Sequence, residues 1–177
     1  MTPLERSSIL SGDTNASFRV LSVDNEADSL ILRQKCRDVD FQADKELIQL
    51  LISRLKLTMA AESGVGIAAP QVGVLRNVFL FMRFDKPEQP VEVAINPRIL
   101  STSPETYCFE RDGCLSVPDR RENTRRYVWI DVEYSNEAGK QVRERLYGGM
   151  RGADFTGVIF QHEFDHLQGI LYIDRIY

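Results

Sequence analysis

The stretch QHEFDHLQG, residues 161–169, carries both histidines of the 177-residue chain, His162 and His166, with Glu163 directly after the first. Residues i and i+4 lie one turn apart on the same face of a helix. Two imidazoles held in that way can reach one metal ion, and the glutamate beside them can reach a water on that ion. This is the mechanical content of the H-E-x-x-H pattern. The stretch is therefore committed to a helix, expected over residues 153–168, with Gly169 as its stop.

Working outward, Gly148 and Gly149 break the chain before that helix. QVRERLY (141–147) alternates as a strand, and the turn NEAGK joins it to RYVWIDVEYS (126–135), rich in aromatic and β-branched residues, as its antiparallel partner. NVFLFMR (77–83) and VEVAI (91–95) read as two further strands, the second ended by Asn96-Pro97. Residues 44–61 carry apolar side chains at 47, 50, 51, 55 and 59, a helical spacing, with Asp44 placed as N-cap. Residues 1–17 are polar and read as a flexible N-terminal segment ahead of a single catalytic domain, 18–177. Helix, several closely spaced strands, then helix indicates an α+β fold with mostly antiparallel sheet, not a βαβ repeat.

Composition narrows the function classes. At 43% hydrophobic and 27% charged residues the chain is an ordinary globular domain. Its net charge of -4 gives no nucleic-acid signature. The one basic cluster, RRENTRR (120–126), reads as a solvated loop. No apolar run approaches the ~18 residues that span a bilayer. The polar N-terminus lacks the apolar core of a signal peptide, so a cytoplasmic protein is expected. Three cysteines argue against a disulfide framework and leave a thiol for another task.

A catalytic metal site needs a third protein ligand beside the two histidines. The metzincin position for a third histidine is Tyr172, and the eleven residues after His166 contain no glutamate of the thermolysin kind, although Asp174 is present. Of the thiols, Cys36 lies in LRQKCRDVD without glycine-rich surroundings, and Cys108 falls in a plausible strand as a buried small hydrophobe. Cys114, in RDGCLSVP, follows a glycine that admits close backbone approach, and it ranks first. GVGIAAPQVG (64–73) lacks the spacing and context of a phosphate-binding loop. It suits a wall of small residues closed by Gln71, whose amide can donate to an oxyanion.

Together, GVGIAAPQ (64–71), DGCLS (112–116) and QHEFDHLQG (161–169) resemble the three motifs of the peptide deformylases, in the same order and with similar separations. LRQKC (32–36) and INP (95–97) resemble further segments of that family. The resemblance implies antiparallel sheets packed around a central helix carrying the third motif. It implies Cys114, His162 and His166 as metal ligands, with one divalent ion, Fe²⁺ natively and Zn²⁺, Ni²⁺ or Co²⁺ accepted. It implies removal of the formyl group from the initiator methionine of nascent polypeptides, releasing formate: metal-bound water attacks the formyl carbon with Glu163 as general base and then acid. The side chain of Gln71 and the N–H of Leu115 would hold the oxyanion. The methionine pocket is expected from Val65, Val158 and Ile159, with the substrate backbone along Gly66 and its neighbours. Nascent formyl-Met chains near the ribosome are the implied partner, and a monomer or weak dimer without membrane or direct nucleic-acid contact is expected. Two departures stand out: Asp112 replaces the family's usual glutamate, and FER (109–111) brings charge close to the expected cleft, where it would alter peptide preference. The rival readings are a metalloendopeptidase and a structural zinc domain.

Overall fold

The structure is a computed structural model describing residues 1–177. Four helices, α1 (Pro3–Leu10), α2 (Glu26–Leu32), α3 (Lys45–Ala61) and α4 (Thr156–Leu167), accompany seven strands. These are β1 (Gly66–Ala68), β2 (Val78–Met82), β3 (Val91–Thr102), β4 (Thr106–Cys114), β5 (Val117–Tyr127), β6 (Trp129–Ser135) and β7 (Gln141–Tyr147). Five strands form one antiparallel sheet in the order β1-β2-β3-β6-β7, and β4 and β5 form a separate long hairpin. No helix is long and apolar enough to cross a membrane.

The sheet lies between two helices, and strand periodicity explains how. Side chains alternate faces along a strand. On β2, Val78 and Leu80 join the cluster built on Leu47, Ile48, Leu51, Ile52 and Leu55 of α3. Phe79 and Phe81 join the opposite cluster, with Ile159 and Phe160 of α4. A strand buried on both faces is continuously apolar, as VFLFM is. Phe160 anchors the α4 side: its ring meets Phe79 at 4.8 Å and Phe81 at 5.3 Å, both edge to face. Such pairs add about 0.5–1.5 kcal/mol each to simple burial. The expected α+β architecture, antiparallel sheets around a central motif-bearing helix, is the one found.

Helix α4 begins at Thr156, three residues later than expected, where Asp154 Oδ1 accepts from the Thr156 N–H at 2.9 Å. It ends as expected before Gly169, which takes the left-handed φ of 71°. Gly157 lets its first turn press on the end of β7, since a Cβ there would lie 2.6 Å from the Tyr147 carbonyl oxygen. Backbone cannot yield as a side chain tip can, so Gly157→Ala should cost about 3 kcal/mol, the upper part of the range for overpacking. A thermal melt of the variant checks this, and an unchanged midpoint would contradict the close approach.

Three expectations are corrected. Asn96-Pro97 does not end a strand: β3 runs on to Thr102 through a bulge, with Asn96 at φ 51° and its side chain bonded both ways to the Val39 backbone at 2.9 Å. Residues 126–135 are not one strand: the chain changes sheets at Val128, giving Arg126 and Tyr127 to the hairpin. Asp44 stands at the N-cap of α3 without capping it, because its carboxylate pairs with the Met1 amine and Arg6. Residues 1–17, read as flexible, are not uniformly irregular, since Pro3–Leu10 within them form α1. A capping box at Thr2 and Glu5 starts α1, Ile9 is fully buried against α3, and Arg54 donates to the carbonyls of Ile9, Ser11 and Ala16.

Candidate metal centre and cleft

The hairpin and the central helix supply the site jointly. Cys114 ends β4 at the hairpin tip, while His162 and His166 project from successive turns of α4, their ring centres 5.1 Å apart. The Cys114 sulfur and a nitrogen from each ring all lie within 4.8 Å of one another, and no other His, Cys, Asp or Glu cluster of this kind occurs in the chain. Cys114 Sγ is 3.2 Å from His166 Nε2. Cys36 lies elsewhere, with its thiol pushed up to about 12 by burial. Cys108 is half-buried in β4, more open than a core residue.

Gln71 is held in a fixed orientation. Its Oε1 accepts from the Ala68 N–H at 2.8 Å, so its amide nitrogen faces Cys114 Sγ at 3.5 Å and Ser116 Oγ at 3.2 Å. The Ser116 N–H also approaches Cys114 Sγ, at 3.4 Å. Leu115 occupies the tip, near Gly64 of the facing loop. Glu163 is buried behind β1, and a Cβ on Gly66 would meet its carboxylate at 2.4 Å, so a side chain at this position would displace that carboxylate. Burial raises the Glu163 pKa to about 7 despite the opposing influence of His162. Its Oε2 is buried with no partner, as is His166 Nδ1.

A buried chain of ion pairs backs the candidate ligands, and sequence reasoning missed it. His162 Nδ1 lies 3.2 Å from Asp112 Oδ1. Asp112 Oδ2 accepts from Thr124 Oγ1 at 2.9 Å and Arg126 Nη2 at 2.7 Å. Arg126 Nη1 continues to Asp165 Oδ2 at 2.8 Å, and Arg175 closes on Asp165 at 2.8 Å. RRENTRR is thus no solvated loop; it lies in β5, with Thr124 and Arg126 turned inward. The available signal was period-two alternation toward Arg126, opposite a helix bearing an unexplained Asp165.

Burial would push the Asp112 carboxyl up, but His162 and Arg126 hold it well below the usual carboxylate range. Burial disfavours charge on His162, yet Asp112 and Cys114 hold its pKa well above normal. The same field favours any cation at that imidazole, proton or metal. Burial, with His162 and Arg126 adding to it, keeps His166 well below its ordinary value, in the neutral form a metal binds. One thiol, two imidazoles and a carboxylate behind one of them suit a divalent transition metal. In front of this group opens a cavity of about 710 Å³, lined among others by Val65, Gly66, Leu115, Val158, Ile159 and Glu163. Val65 is half-exposed at its edge, while Val158 and Ile159 form a buried floor.

Comparison with known proteins agrees with this geometry. Residues 18–177 match the family model for polypeptide deformylase. The chain belongs to the polypeptide deformylase family. A peptide deformylase of Pseudothermotoga lettingae is 41% identical over 146 residues, covering 82% of this chain and 77% of that protein. One from Synechocystis is 36% identical, covering 82% and 74%. The peptide deformylase structure from Thermotoga maritima superposes with a TM-score of 0.75 at 35% identity, covering 91% of this chain and 98% of that one. A Met-Ala-Ser-bound class I type b enzyme from Acinetobacter baumannii gives 0.78 at 32% identity, covering 92% and 99%. Deformylases are metal-dependent hydrolases that remove the N-formyl group from nascent peptides, and this chain is an enzyme of that class.

Proposed function

We propose that Cys114, His162 and His166 hold one divalent ion, iron(II) natively with zinc, nickel or cobalt accepted, and that Glu163 moves the protons of formyl-methionine hydrolysis. The observation that carries this reading is the convergence of one sulfur and two imidazole nitrogens within 4.8 Å, beside a buried carboxyl whose pKa is about 7. When bound, the metal supplies Lewis-acid polarisation and lowers the pKa of water toward neutrality. Glu163 accepts a proton from the water that adds to the formyl carbon. It returns that proton to the methionine nitrogen as the C–N bond breaks, because an amide nitrogen leaves poorly unless protonated. A free amine and formic acid result, and the acid gives up its proton to become formate.

The oxyanion formed on addition faces Gln71 Nε2, which exchanges its weak 3.5 Å contact with sulfur for a charge-assisted bond, and the Leu115 N–H. An oxyanion donor is typically worth about 3 kcal/mol of barrier. Val65, Val158 and Ile159 receive the methionine side chain, and the substrate backbone runs along Gly66. That Met-Ala-Ser occupies the Acinetobacter baumannii relative supports a peptide of this kind in the cleft. Such a substrate places the enzyme where translation occurs, in the cytoplasm near the ribosome, as a monomer or weak dimer.

Two measurements on one sample test the reading: metal per chain, and formate release from formyl-Met-Ala-Ser against an acetylated control. One ion per chain with formate from the formyl peptide alone is expected. A metal-loaded sample that releases no formate overturns it. Cys114→Ser should weaken metal retention by more than about tenfold, the lower bound when only an outer partner of a ligand is lost. Dialysis followed by metal analysis checks this, and full retention would transfer the third ligand to Cys108 or a carboxylate.

A further inference from the structure

The mouth of the cavity is lined by four arginines, Arg111, Arg120, Arg121 and Arg151. Arg120 is paired with Glu122 at 2.9 Å, while the side chains of the other three enter no ion pair although all are exposed. Two exposed carboxylates, Glu62 and Asp119, share the lining; the remaining two, Asp112 and Glu163, are buried. Among the exposed, unpaired groups three arginines face two carboxylates, so the rim keeps an excess of one positive charge on a chain whose net charge is -4.

The free arginines are placed by contacts that leave their charge unspent. Arg151 Nη2 donates to the Arg111 carbonyl at 3.0 Å, and its guanidinium lies 5.4 Å from the Phe109 ring centre and 5.8 Å from that of Phe155. Arg111 stands in a bulge of β4 at φ 56°, an unfavourable conformation for a residue with a Cβ, with its N–H held by Asn123 Oδ1 at 3.1 Å. Arg121 lies flat over Gly113, where a Cβ would come within 2.5 Å of its Nη1. Gly113 precedes Cys114, so this guanidinium rests against the ligand hairpin itself.

We infer that Arg111, Arg121 and Arg151 select formylated chains bearing an acidic side chain at the second or third residue. The inference rests on the proposed function. With the formyl group beside Glu163, the residues after methionine must leave past this rim. An excess of one sign of charge at a cleft concentrates field along the path of the ligand, and here the excess is carried by Arg111, Arg121 and Arg151. Because the arginines border the reaction cavity and not a separate basic face, a peptide explains them better than a nucleic acid does.

The test compares kcat/KM for formyl-Met-X-Ala and formyl-Met-Ala-X peptides with amidated C-termini, X being Glu, Gln or Lys, so that only side-chain charge differs. The metal-loaded full chain should prefer Glu over Lys by about tenfold at low ionic strength, with Gln between, as a few exposed pairs together allow. High salt should erase most of that preference. The single variants Arg111→Gln, Arg121→Gln and Arg151→Gln should each reduce the Glu-to-Lys ratio, and their combination should abolish it. The salt series on the unaltered enzyme decides the matter even if the triple variant fails to fold. Turnover of all peptides with no charge preference overturns this inference and leaves the deformylase activity standing. No formate from any peptide overturns the activity and this inference with it. Absent charge preference together with inhibition by short single-stranded RNA would reassign the rim to nucleic acid.

Discussion

Glu163→Gln is expected to lower kcat for formate release by about 10²–10⁴-fold, the usual contribution of a positioned general acid–base group, while one metal remains bound per chain. The substitution preserves shape, so the amide fits the space over Gly66 where the carboxylate lies. It removes only the capacity to accept a proton. Glu163 is not one of the three groups whose ligand atoms converge, so metal content should not change. Stability should hold or rise, since a buried amide avoids the desolvation that pushes the carboxyl to about 7. The needed measurements are kcat, metal content and melting temperature on one preparation. Near-normal turnover with metal retained would remove Glu163 from the proton path and turn attention to Asp112, the other buried carboxylate beside His162.

What could be read in advance, and what could not, divides along sequence separation. His162, Glu163 and His166 declare themselves because helix geometry fixes the relation of residues four apart, whatever surrounds them. Cys114 and Gln71 are legible through short glycine-bearing segments whose local conformation is decided by a few residues. The supporting Asp112–Arg126–Asp165 chain is different. Arg126 sits in a run of charges that looks like solvated surface, and only the docking of β5 against α4 makes it a buried cation. The bulge at Asn96 likewise depends on Val39, fifty-seven residues away in sequence, which supplies both hydrogen-bond partners. Helix α1 is too short to persist alone, and its polar sequence reads as loose. Its order comes from Ile9 entering the α3 cluster and from the buried Arg54 guanidinium. Asp112, seen from the sequence only as a shortened carboxylate, still reaches His162 Nδ1, at 3.2 Å. The hairpin carries this short side chain within reach of the imidazole.

Arg126→Met should destabilise the folded chain by about 3 kcal/mol, the lower part of the range for breaking a buried ion pair by removing one partner. The arginine itself is 2% exposed and lies between two buried carboxylates. Methionine fills much of its volume but leaves Asp112 and Asp165 without their shared cation. The lower figure is chosen because neither is abandoned completely: Asp112 keeps Thr124 and His162, and Asp165 keeps Arg175. Denaturant unfolding of the metal-loaded variant gives the value. Adding Asp165→Asn should recover part of the loss, since an amide needs no counter-charge, and the non-additivity of the pair measures the coupling. A loss below about 1 kcal/mol, the scale of exposed pairs, would show that these ion pairs do not act as a coupled buried network and that the hairpin is fixed by packing alone. The variant should also release metal more readily, because Arg126 steadies the carboxylate that orients His162. Restoring the cation with Arg126→Lys should return less than half of the loss, as one ammonium cannot reproduce the two-armed bridge from Asp112 to Asp165.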